Sequence, residues 1–385
     1  MKSKKWILIL SAVACFVLAG VAIAVGVNNE HIHSVSEARE YHIGGDRVYY
    51  TQYCKCGDYD ESKNIDLTEE EVFASLTAQD RLVLDGDVEL NGVVNLAGFD
   101  QNSTLPKPLN TVVNVDLRGY SLTTNKDYEI GEENSLFYLN ARYGTVNLNI
   151  QNGKLNGGAL SYIFKFATNE DSAENIKLNL SNVKCSVDGE GSAPIYASQD
   201  LTNGNIIANN CKFLATNSSS YNCFGVVIDS ESKFVFNNCY FEGGDSVYIR
   251  RGDVVLNGCN LINKTSYDRE GSIYGNLRLA NEISATGNCL TLDTNKDEQN
   301  VYSKYNVKLV NCYFDANDGN GKVLFISGST IDENEQTVNK SAESVIEMEV
   351  CVFRENNISE FKQFINNYTS AEHRVEEDKN LWQIN

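Results

Sequence analysis

Phe234-Val235-Phe236-Asn237-Asn238-Cys239-Tyr240-Phe241 is the phrase from which the fold of this chain can be read. Phe234 and Phe236 share a parity, the period-two signature of a half-buried strand. Cys239 and Phe241 share the opposite parity. A strand running straight through Asn238 would turn one of these pairs out to solvent. Asn238 must therefore bend the chain and reset the alternation. Asparagine and glycine are the residues that tolerate the left-handed conformation such a corner needs.

The phrase occurs nine times between residues 115 and 353. Val307 to Phe314 is nearly identical, and Leu178 to Cys185, Ile206 to Phe213 and Val254 to Leu261 are close copies. Val115 to Leu122 and Leu148 to Leu155 lack cysteine, Ile346 to Phe353 has Val350 at the corner, and Ser284 to Thr291 is degenerate. The residues after the corner (Tyr120, Gly153, Val183, Cys211, Cys239, Cys259, Cys289, Cys312 and Cys351) lie 20 to 39 residues apart. Such a repeat implies stacked units, each burying its apolar face against its neighbours. The expectation is an all-β chain forming a parallel β-helix over residues 80–355, with outer turns of variable length. Equivalent residues would stack about 4.8 Å apart, giving a ladder of corner asparagines and a buried column of cysteines. Parallel Cβ vectors at that distance exceed the roughly 3.8 Å a disulfide wants, so the thiols are predicted free and inert.

Before the repeats, Lys2, Lys4 and Lys5 precede Trp6 to Val27, 22 residues without a charge. That is long enough to span a bilayer, and the lysines place the N-terminus inside. Residues 1–27 are expected to be a signal anchor with the domain outside the cell, or a signal whose cleavage yields a secreted protein. The formal charge is −20, and because these residues contribute +3, the remainder carries −23. So acidic a surface repels nucleic acid and anionic lipid heads. With 42% hydrophobic residues and 3 prolines, the remainder is folded, not a disordered stalk. Leu67 to Ala78 reads as a helix, with Thr68 and Glu71 as a capping box and Val72, Phe73 and Leu76 as its apolar stripe. Residues 64–79 would plug the first unit, which otherwise exposes a sheet edge. Residues 356–385 turn polar, with Ser359 to Tyr368 as a terminal cap.

Residues 28–63 hold His31, His33 and His42 near Cys54-Lys55-Cys56-Gly57. Cysteine and histidine together are the ligands structural zinc takes in a segment without a core. His31, His33, Cys54 and Cys56 are the expected ligands, with His42 in reserve. An oxidised Cys54–Cys56 pair, or two free thiols, is the alternative. The segment resembles the short His/Cys ribbon of exported bacterial proteins, although C-x-C is tighter than the usual C-x-x-C. Asp293-Thr294-Asn295-Lys296-Asp297 mimics the start of a calcium loop but has Glu298 and Lys304 where that loop wants its glycine and last acid. Calcium is the weaker metal expectation there, beside a plain acidic turn.

The repeats resemble right-handed parallel β-helix proteins of the pectate-lyase-like superfamily. Val115-Asp116-Leu117-Arg118-Gly119-Tyr120-Ser121-Leu122 is similar to the phrase that opens many such domains. The resemblance implies a right-handed helix and bears less on activity. Its hydrolases carry a His-Gly and an Arg-x-Lys; here His373 is the only histidine beyond residue 42, and no Arg-x-Lys occurs. No proline follows Pro194, so the lyase arginine-proline phrase is missing too. The best polar cluster is Asp245, Arg250, Arg251 and Asp253, a candidate carboxylate pair with two bases between rungs. Charged turn residues are more ordinarily a solvated edge, and Arg251-Gly252-Asp253 spells an adhesion tripeptide that also arises by chance. With no complete catalytic set, the expectation is a non-enzymatic surface protein presenting loops to a glycan or a protein partner. A divergent polysaccharide lyase or glycoside hydrolase is the rival, and a structural spacer the third class.

Overall fold

A computed structural model describes residues 36–383, apart from 55, 57–59, 99–108, 126–133, 169–174, 190, 216–222, 264–287, 294–302, 316–322, 328, 332–336, 340–343, 355–372 and 376–380. Among the described residues the protein is all-β with one short helix, Glu69–Ser75. From Arg81 onward the strands of the main sheet pair in parallel with strands one repeat earlier and one repeat later. The register is that of the sequence phrase: Phe234 lies between Ile206 and Val254, and Phe241 between Phe213 and Leu261.

The corners behave as the parity argument requires. In the strand Thr145–Gly158, Val146, Leu148 and Ile150 are buried, and after the corner Leu155 is. Asn152, Asn182, Asn210, Asn238 and Asn311 all take φ between 51° and 58°, Gly258 takes 64° and Val350 takes 54°. In the first copy two residues share the turn, Arg118 at 49° and Gly119 at 90°. The degenerate copy does not join this stack: Leu290 and Thr291 pair with Val247 and Tyr248 instead, and the corner rung of Cys259 is followed directly by that of Cys312. The inward side chains form one apolar core along the repeats. Phe213 stacks on Phe241 at 5.4 Å, and Phe236 meets both edge-on.

The cysteine column forms as predicted except at Cys289, which precedes a strand paired with Val247, Tyr248 and Ile249 and lies outside the column. Cys211, Cys239, Cys259, Cys312 and Cys351 are buried, and no disulfide joins any described cysteine. The thiols of Cys239, Cys259, Cys312 and Cys351 each donate to a backbone carbonyl of the preceding repeat, as Cys259 does to Phe236 at 3.3 Å and Cys312 to Leu256 at 3.2 Å. Hydrogen bonding from the neighbouring thiol and burial push Cys239, Cys259 and Cys312 each up to about 12. The asparagine ladder is partly offset. Asn182 donates to Asn152 at the corner, but later rungs join one residue earlier, Asn237 to Asn209 and Asn257 to Asn237.

The N-terminal side differs from the expectation. Glu40–Ile43, Tyr49–Tyr53 and Asp60–Asn64 form an antiparallel meander. Its first strand pairs in parallel with Arg81–Leu84 and adds a rung to the repeats. Tyr41 and Ile43 enter the main core, so this segment draws its stability from burial, not from a metal alone. Gly44 and Gly86 cross so closely that a Cβ on Gly86 would stand 2.1 Å from the Gly44 carbonyl oxygen. The helix is shorter than Leu67 to Ala78, although its capping box at Thr68 and Glu71 is complete and Val72 and Phe73 are buried. It packs on Val88–Leu90 and Val94–Ala97, while the edge of Arg81–Leu84 is covered by the meander. No helix among the described residues is long and apolar enough to cross a membrane. Residues 6–27 and the terminal cap at 359–368 lie outside the described residues.

Candidate functional site

Outward residues of one sheet face line up by register into lanes. One lane runs Asn114, Asn149, Asn179, Ile207. The next, two residues on, runs Asp116, Gln151, Ser181, Asn209. In the first lane the amides are chained. Asn179 Nδ2 donates to Asn149 Oδ1 at 2.8 Å, Asn149 to Asn114 at 2.9 Å, and Asn114 to the Asp80 carbonyl at 3.2 Å. The chain ends where Ile207 replaces asparagine. Asn114, Asn149 and Asn179 of the first lane, Gln151, Ser181 and Asn209 of the second, and Arg81 line a groove of ≈ 220 Å³. An asparagine amide has two donors and an oxygen with two lone pairs. Asn149 spends one donor and one acceptor site on the chain, so each rung keeps hydrogen-bonding capacity for a ligand.

At one end of the groove the charges are paired off. Arg81 bonds Asp116 and stands 3.7 Å from Glu40. Arg118 pairs with Asp85 at 3.1 Å and with Glu40 at 3.4 Å. Burial alone would raise Asp116, but the Arg118 backbone N–H, the amides of Gln151 and Asn152 and the Arg81 charge outweigh it and hold the carboxyl below its ordinary value. Tyr49 donates to Asp85 at 2.9 Å, and burial together with that bond pushes the phenol up. The groove therefore offers neutral amides beside a neutralised ionic patch.

The sequence-predicted charge cluster is taken apart by the fold. Asp245 is buried, and its carboxylate accepts from the Asn288 backbone N–H and the Thr291 hydroxyl, both at 2.8 Å. Arg250 is buried and reaches Asp229 at 3.4 Å and Asp293 at 3.7 Å. Arg251 Nε donates to Asp229 at 2.6 Å. Gly252 then turns at φ 111°, and Asp253 points to solvent. Two members of the cluster thus converge on Asp229, a fully buried carboxylate that no spacing in the sequence singled out. Tyr248 completes the group by donating to Asp293 at 2.6 Å. Asp293 is accordingly engaged within the fold, and residues 294–302 of the calcium-like stretch lie outside the described residues.

Of the proposed zinc ligands, His31 and His33 lie outside the described residues. The Cys54 and Cys56 sulfurs approach to 2.7 Å. His42 is turned elsewhere: it stacks on Tyr49 at 4.4 Å and its Nδ1 sits 3.1 Å from Asp85. It faces Tyr49 across the meander, five residues before Cys54, which puts it roughly 16 Å from that thiol. Among the described residues no three histidine, cysteine or acidic side chains gather to hold a metal. The amide groove had a signal in the alternating asparagines of Asn147-Leu148-Asn149 and Asn179. Which lanes would adjoin was not written there. Compared with known proteins, the chain matches no family model, no curated protein and no solved structure.

Proposed function

We propose that the parallel strands wind as a right-handed β-helix displayed at the cell surface or secreted, and that the groove between Asn114 and Asn209 binds a neutral glycan without turning it over. The carrying observation is the hydrogen-bonded amide lane on the floor of a ≈ 220 Å³ groove. Sugar hydroxyls both donate and accept, and an amide offers both roles in one plane. Ligand sites of this kind place few polar groups on a rigid scaffold. Stacked strands supply that rigidity. Arg81 adds no free charge, because Asp116 and Glu40 hold it. Residues 6–27 would tether the domain to the membrane, and His31, His33, Cys54 and Cys56 would hold a structural zinc.

A glycan array probed with the full chain tests the reading. Binding to neutral oligosaccharides, weakened about tenfold by Asn149→Ala through the loss of a hydrogen-bonding partner, is expected. An array without a ligand would leave the structural spacer, and release of cleaved sugar would favour the lyase or hydrolase. For the zinc, metal analysis of the full chain should find one equivalent, lost in Cys56→Ser.

A further inference from the structure

We propose that Lys154, Lys184 and Lys212 form a second site, independent of the amide groove, for a linear sulfated glycan. The three lysines are register partners in three successive parallel strands, and all are exposed. Their Cα atoms therefore repeat at about 4.8 Å. Like charges placed directly opposite each other on a sheet are destabilising. This chain has 52 acidic residues against 32 basic ones, yet no carboxylate among the described residues pairs with any of the three. Elsewhere the same fold does neutralise its lane cations: Lys308 sits 3.5 Å from both Glu347 and Glu349, and Arg354 3.0 Å from Asp315.

The row has defined ends and flanks. Ser121 precedes Lys154 in the lane, and Tyr240 follows Lys212, whose Nζ lies 5.8 Å from that ring. Beside the lysines run the corner asparagines Asn152 and Asn182 on one side and Asn156 and Ser186 on the other. The ligand that suits this surface carries anions at short, regular intervals and hydroxyls between them. Ammonium groups meet sulfate as point charges, and the amides meet hydroxyls. Nucleic acid would need successive aromatic platforms, and in this lane Tyr240 is followed by Asn260 before Tyr313, so no two aromatic rungs adjoin. The overall −20 does not forbid a local cationic row, since exposed charges are screened beyond about 8 Å at physiological salt. The corner asparagines separate this row from the groove, so either site can fail without the other.

The test is binding of the full chain to immobilised heparin at physiological ionic strength, with dextran and single-stranded DNA as comparison ligands. Heparin is expected to bind and to be released by salt. Lys184→Gln should weaken it about fivefold, and Lys154→Gln, Lys184→Gln and Lys212→Gln together about a hundredfold. The triple variant should melt no lower than the parent, which separates lost binding from lost folding. Lys308→Gln and Asn149→Ala should leave heparin binding within about twofold, below the effect of one lysine. Absence of heparin binding, an unchanged affinity in the triple variant, an equal loss in Lys308→Gln, or equal binding to DNA would each overturn the proposal.

Discussion

Val350 is where the corner rule is broken and kept at once. It takes φ 54° like the asparagines of earlier repeats, though its Cβ is branched. A left-handed conformation costs an L-residue about 1–2 kcal/mol, and asparagine is among the few that visit it routinely. The Val350 side chain is 47% exposed, so its burial returns only part of the roughly 1.5 kcal/mol of a fully buried valine. Val350→Asn should therefore stabilise the last repeats by about 1 kcal/mol, which is about fivefold in the local opening equilibrium. Glycine should gain less, because it loses more backbone entropy on folding. Stacked repeats need not unfold in one step, so the probe must be local. The amide of Val352, which donates to the Cys312 carbonyl at 2.8 Å, is suitable. Its hydrogen exchange should slow about fivefold in Val350→Asn and quicken by a similar factor in Asn311→Val. Unchanged exchange in both variants would refute the assignment of the corners as the site of backbone strain.

Three further outcomes are expected. Gly153→Ala should lower the urea midpoint by an amount equivalent to about 1–3 kcal/mol, since the new Cβ would stand 2.3 Å from Leu117 Cβ; an unchanged midpoint would mean the contact relaxes freely. Asp229→Ala should cost about 3–5 kcal/mol in chemical denaturation, because it leaves the buried Arg250 with only the longer contact to Asp293 and takes away the carboxylate that Arg251 bonds. The cysteine column sets an alkaline limit. Protonated thiols are favoured in the folded chain, so the stability they protect is whole below the ordinary value of 9.0 and is lost as pH rises toward about 12. Urea midpoints in reductant should fall between pH 9 and 12 for the parent, and less steeply for Cys259→Ala.

What could be read beforehand was whatever the backbone writes into one strand. The parity switch at Asn238 is local, and it marks the corners at Asn152, Asn182, Asn210, Asn238 and Asn311 in the sequence itself, while the copy at Asn288 shows the same phrase without joining the stack. The capping box at Thr68 is local too. The Asp229 site was hidden because it depends on register. The pairing of Phe224–Asn237 with Asp245–Asn257 slips on both sides of Asp229, bringing Arg251 opposite it. No spacing in the sequence encodes that slip. The meander was hidden for another reason: its histidines and cysteines suggested a separate ribbon, while Tyr41 and Ile43 tied it to the core over a strand of four residues. Likewise the lanes of Asn149 and Lys184 each show one residue per repeat, and only stacking makes them a surface.

The thiol column also sets a race during folding. Once the repeats close over Cys211, Cys239, Cys259, Cys312 and Cys351, these thiols are buried, and those of Cys239, Cys259 and Cys312 are held protonated. Before closure they are ordinary thiols, open to thiolate exchange. A bridge between two of them would draw their Cβ atoms closer than stacked strands allow. In an oxidising compartment, one early disulfide would keep two neighbouring repeats from seating. The chain then depends on folding faster than it oxidises, and a thiol reductant present during refolding should raise the yield of native protein.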